Sequence, residues 1–68
     1  MARENNIGEN IKKYRTKQGL SQEDFAKKSG VKYTTLTKIE SGVIKKPSVL
    51  VMAKIAKALG VNIEDLIK

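Results

Sequence analysis

The stretch from Leu20 to Gly42, LSQEDFAKKSGVKYTTLTKIESG, has room for two helices of about two turns each, and this limit governs what the rest of the chain can fold into. Ser21 can cap the first helix by accepting from the free amides of its first turn, with Asp24 three residues on as its capping-box partner. Glu23 and Asp24 lie at the positive end of the helix dipole, and Lys27 and Lys28 at the negative end. Gly30 supplies the left-handed residue that stops the helix. Val31, the lone apolar residue of the turn, is expected to point inward. The second helix is expected from Tyr33 to Ser41, with Gly42 as its stop. At about 100° per residue, Leu36 and Ile39 fall on one side, with Thr34, Thr37, Lys38 and Ser41 opposite them.

A face of that kind is short, neutral to basic and rich in hydrogen-bonding groups. It suits the DNA major groove, where Thr can bond or touch a thymine methyl and Lys can reach guanine acceptors. It equally suits the solvated side of a bundle helix. Charge distribution separates the two readings. Residues 11–46 carry ten of the fourteen cations and three of the seven anions, and so the whole net excess of +7. That concentration is the footprint of phosphate binding. Anionic lipid would also attract it, but no helix here sets a wide apolar face against a basic one with free ends, so no membrane partner is expected.

Here the residues reach a resemblance. Ser21-Gln22-Glu23, Phe25-Ala26, Gly30-Val31, the run Thr35 to Gly42 and Pro47-Ser48 together resemble the DNA-binding domain of the phage lambda repressor and Cro family, also called the xenobiotic-response-element type of helix-turn-helix. The likeness spans residues 7–67. It implies an all-α, compact five-helix lambda-repressor-like domain with a central helix-turn-helix. It also implies a small dimeric repressor that acts on double-stranded DNA in the cytoplasm, with no cofactor. In the family, a Gln at the place of Gln22 touches the DNA backbone and braces the first residue of the recognition helix, here Tyr33. From spacing alone, Gln22 is as well read as an ordinary first-turn residue. The sequence departs from the family at Lys32, where a capping residue is common. The cation weakens the cap and sits at a dipole end that prefers anions, and it is expected to face a phosphate.

On this reading Tyr33, Thr34, Thr37 and Lys38 read bases, while Gln22, Lys32, Lys45 and Lys46 hold phosphates. Tyr33 has a second reading, packing over Gln22 to hold the two helices together. Arg15 lies at the edge of the first helix's apolar stripe, and Glu40 sits at an unfavourable dipole end. The two are expected to pair in a bidentate contact, as an Arg and a Glu at the matching family positions commonly do. Without that contact both would be free surface charges.

The chain in order adds the following expectations. Residues 1–5 form a flexible arm in which Arg3 either reaches a phosphate or stays solvated, and residues 6–68 form one domain. The first helix starts at Asn6 and ends at Gly19. Ile7, Ile11 and Tyr14 make its core stripe, with Gln18 at the fringe and Gly8 allowing close packing. The fourth helix opens at Pro47-Ser48 and ends at Gly60, with an apolar arc of Val49, Met52, Ala53, Ile55, Ala56 and Leu59. Leu50 falls outside that arc and, with Val43 and Ile44, suggests an exposed contact surface. Asn62 caps a last helix through Lys68, in which Leu66 closes the core. Leu50, Ile63 and Ile67 are candidates for a homodimer surface, and a protein partner such as a toxin or co-regulator is the rival to DNA.

Composition excludes several other functions. The chain has no cysteine and no histidine, which rules out disulfides, thiolate chemistry, the commonest zinc ligand and the usual general base. No apolar run is long enough for a transmembrane segment or signal peptide. The adjacent carboxylates Glu64 and Asp65 point about 100° apart on a short helix and make a poor catalytic pair, so no enzymatic activity and no metal site are expected.

Overall fold

The computed structural model describes residues 7–67, and its five helices are α1 (Ile7–Lys17), α2 (Gln22–Ser29), α3 (Tyr33–Glu40), α4 (Val49–Leu59) and α5 (Ile63–Ile67). The arm, Arg3, the Asn6 cap and Lys68 lie outside the described residues. Local chemistry explains most helix ends. Ser21 Oγ accepts from the Asp24 N–H at 3.0 Å, and Ser48 Oγ accepts from the Val51 N–H at 3.2 Å. In α2 only this forward half of the expected capping box is formed. At α5 the bond runs the other way, with the Asp65 carboxylate accepting from the Asn62 N–H at 3.0 Å. Gly30, with φ 77°, closes α2 and turns the chain toward α3, a conformation that a side chain would strain.

The helices enclose one core. Ile7, Ile11, Phe25, Val31, Leu36, Ile39, Met52, Ile55, Leu59 and Leu66 are buried in it, and Tyr14, Leu20, Ile44, Val51 and Val61 pack against it half-buried. The principal packings of α3 are on α1 and α2, whereas α4 packs on α1, α2 and α5. Side-chain amides reach over the helix ends, where carbonyls lack intrahelical partners. Asn10 donates to the Leu66 carbonyl at 2.7 Å, and Gln18 to the Leu59 carbonyl at 2.9 Å.

The expected arc on α4 is corrected in two places. Val49 is 78% exposed and Ala53 is also exposed, while Val51 packs against the core. Val49 is in the first turn, where a helix can run past its neighbours, so its angular position alone does not bury it. Ile44 is likewise half-buried against the core rather than part of an exposed patch.

Gly8 marks the closest helix approach. A Cβ there would overlap the Ile39 carbonyl and lie 3.0 Å from Glu40 Cα, both backbone atoms at the end of α3. Helix propensity alone makes Gly8→Ala stabilising by about 1 kcal/mol. The contact reverses that sign, and urea unfolding should register a loss of about 1–3 kcal/mol instead.

Candidate nucleic-acid interface

The site rests on a network of three side chains. Arg15 donates from Nε to Glu40 Oε2 at 2.8 Å and from Nη2 to Glu40 Oε1 at 3.0 Å. Its Nη1 donates to the Leu20 carbonyl at 2.7 Å, in the connection between α1 and α2. The two side chains are only 9% and 3% exposed. A carboxylate at the C-terminal end of α3 opposes the helix dipole, and Arg15 offsets this with a forked, charge-assisted pair. Gln22 completes the group, its Nε2 donating to Glu40 Oε1 at 3.0 Å. The structure therefore brings Gln22 to Glu40, where the resemblance had it bracing Tyr33. One carboxylate thus ties α1, the start of α2 and the end of α3 together. Spacing alone could not pair Gln22 with Glu40, since the two are 18 residues apart in the chain.

This network fixes the orientation of α3. Leu36 and Ile39 are fully buried on its inner side, while Tyr33, Thr34 and Lys38 are exposed and Thr37 is half-buried on the outer side. Lys32 takes the cap position with no side-chain cap bond. Thr37 Oγ1 donates to the Thr34 carbonyl at 2.8 Å and Ser41 Oγ to the Lys38 carbonyl at 3.2 Å. Their hydroxyl protons are committed within the helix, which leaves oxygen lone pairs and the Thr37 methyl to meet a ligand. The Ile44 N–H donates to the Lys38 carbonyl at 3.0 Å and folds the following loop back on α3, with Lys45 and Lys46 exposed just beyond. Tyr33, 47% exposed, borders a shallow hollow with Glu23, Ala26, Lys27 and Val31. Lys27 is thus a neighbour of this surface that the sequence reading placed only at the dipole end of α2. Exposed Leu50, Ile63 and Ile67 lie on α4 and α5.

A family model described as helix-turn-helix matches residues 11–66. The chain belongs to the helix-turn-helix family. An uncharacterized HTH-type transcriptional regulator of Methanocaldococcus jannaschii is 48% identical over 56 residues, which cover 82% of this chain and 83% of that protein. The HTH-type transcriptional regulator SinR of Bacillus subtilis is 34% identical over 61 residues, covering 90% of this chain and 55% of SinR. Among solved structures, SinR in complex with DNA matches with a TM-score of 0.86 at 35% identity, covering 88% of this chain and 95% of that one. The restriction-modification controller protein C.AhdI of Aeromonas hydrophila matches with a TM-score of 0.83 at 31% identity, covering 90% and 91%. The five helices therefore form a lambda-repressor-like domain, with α2 and α3 as its helix-turn-helix. These relatives are regulators of transcription and not enzymes, and no described helix is long and apolar enough to cross a membrane.

In this helix-turn-helix, the Arg15–Glu40 pair is shielded enough that losing one partner leaves a buried charge. Glu40→Gln is expected to cost about 3–5 kcal/mol in chemical denaturation, a large share of the stability of so small a domain. Arg15→Lys should recover little of an Arg15→Ala loss, because an ammonium cannot reproduce the fork. Full rescue by Lys would contradict the geometric role.

Proposed function

We propose that the chain is a sequence-specific double-stranded DNA-binding regulator of transcription, a small dimeric repressor that reads a pseudo-palindromic operator through residues 33–41. The observation that carries this reading is the exposed polar face of α3, locked by the buried Arg15–Glu40 pair with the half-buried Gln22 and rimmed by Lys32, Lys45 and Lys46. The solved complex of the relative SinR with DNA supports it.

In this reading Tyr33, Thr34, Thr37 and Lys38 face base edges, and Lys32, Lys45 and Lys46 neutralise phosphates. Gln22 Nε2 carries two hydrogens. One is held by Glu40, and the second serves a phosphate oxygen. The place of action is the cytoplasm. A second copy docks through the exposed apolar side chains Leu50, Ile63 and Ile67, so that a two-fold axis sets the two α3 helices about 34 Å apart, one turn of DNA.

Selection of bound duplexes from a random library, followed by titration at two salt concentrations, tests the assignment. The expected product is a palindromic motif with half-sites about one turn apart. Lys38→Ala should relax the preference at one base pair for about 1–3 kcal/mol, whereas Lys46→Ala should weaken all sequences alike and lower the salt slope by about one. Uniform loss in both variants would remove Lys38 from base reading. Ile63→Asp with Ile67→Asp should shift the protein to monomer in sedimentation equilibrium and weaken the full palindrome far more than a half-site.

A further inference from the structure

A second basic surface lies outside the face assigned to DNA. Adjacent residues of a helix point about 100° apart, and on α2 this splits two neighbouring lysines. Lys27 borders the hollow beside Tyr33, while Lys28 turns to a different hollow, lined by Lys28, Ser29, Lys54, Lys57 and Ala58, where the end of α2 meets α4. No carboxylate lines this second hollow, and among the described residues none of its lysines forms an ion pair. Lys57 also borders the hollow between α4 and α5, where Glu64 stands, but no ion pair joins the two.

The helix dipoles account for part of this charge. Lys28 and Lys57 sit in the last turns of α2 and α4, where cations are favoured. Lys54 has no such reason to be there. It stands three residues from Lys57 on the same helix, a like-charge spacing that works against α4. Three exposed cations line this hollow with no carboxylate among its lining residues, a charge pattern that favours an external anion.

We propose that this hollow binds an acidic polypeptide segment of a partner protein. The argument is charge complementarity and shape. The DNA face is built on α3, and α3 has its principal packings on α1 and α2, whereas the hollow is carried by α4 and the far end of α2. One duplex lying against α3 therefore leaves the hollow open. Ser29 and Ala58, the other two lining residues, have small side chains that leave room for an extended backbone whose carboxylates reach the lysines. The proposal concerns the regulation of a DNA-binding protein and so rests on the function proposed above.

The test uses a fluorescein-labelled deca-glutamate peptide, followed by anisotropy, with the wild-type chain and two triple variants. Replacement of the exposed residues Lys28, Lys54 and Lys57 by Ala is expected to weaken peptide binding about tenfold and to leave the selected operator affinity within about twofold. The converse variant, Lys38, Lys45 and Lys46 to Ala, should lose operator binding and keep the peptide. The peptide should also bind the preformed operator complex. Equal loss of peptide in both variants, or its displacement by operator, would overturn the proposal. Capture of a second labelled duplex by the operator complex, abolished by the hollow variant, would assign the surface to nucleic acid instead. If the random library yields no motif while the hollow variant still loses the peptide, the proposed function and its regulation by this route fail, and only the acidic-peptide site stands.

Discussion

Arg15 and Glu40 lie 25 residues apart in the chain, on α1 and α3, and their two parallel hydrogen bonds connect the support of the structure to its working face. Burying an ion pair in a chain of 68 residues is costly. It is tolerable here because each of the three guanidinium nitrogens and both carboxylate oxygens has a hydrogen-bond partner. Arg15 spends three nitrogens on Glu40 and the Leu20 carbonyl, and Glu40 also takes the Gln22 amide. Among the described residues no buried side-chain polar atom lacks a partner. Specificity of arrangement, rather than net stability, is what such a network supplies. It fixes α3 relative to α1 and the start of α2, leaving less freedom in how the Tyr33–Lys38 face is presented.

The same end of α3 is where Gly8 lets α1 come into backbone contact. The ion pair and the glycine are two halves of one joint. The first attracts α1 to α3, and the second removes the side chain that would hold them apart. With α1 so close, Ile7 and Ile11 lie in the same core as Leu36 and Ile39, which gives a short chain enough shared apolar surface to hold together. Amide donors from Asn10 and Gln18 to the carbonyls of Leu66 and Leu59 then attach α5 and α4 to α1.

The outer surface divides its cations by helix geometry. Lys32, Lys38, Lys45 and Lys46 border α3 or follow it in the loop, whereas Lys28, Lys54 and Lys57 gather where α2 meets α4. Net charge alone treats these as one excess. Helix geometry separates them onto two surfaces.

Local signals determined much of this protein. The five helices, the Ser21 and Ser48 caps, the Gly30 and Gly60 stops, the inward Leu36 and Ile39 and the outward Thr34 and Lys38 follow from spacing and capping chemistry, which depend on residues within a turn or two of each other, although α3 ends at Glu40 with Ser41 rather than Gly42 as its C-cap. The pairing of Arg15 with Glu40 was legible because each side chain is awkward alone, Arg15 beside an apolar stripe and Glu40 at the wrong dipole end. Tertiary structure decided the rest. Gln22 joins Glu40 because folding brings the start of α2 to the end of α3. Val49 and Ala53 stand in solvent although their angular positions match the buried arc, because a helical period gives direction and not whether a neighbour is present. Lys28 meets Lys54 and Lys57 only where two helix ends converge. A sequence specifies local geometry through short-range sterics and hydrogen bonds, whereas which distant groups meet depends on how the whole core packs.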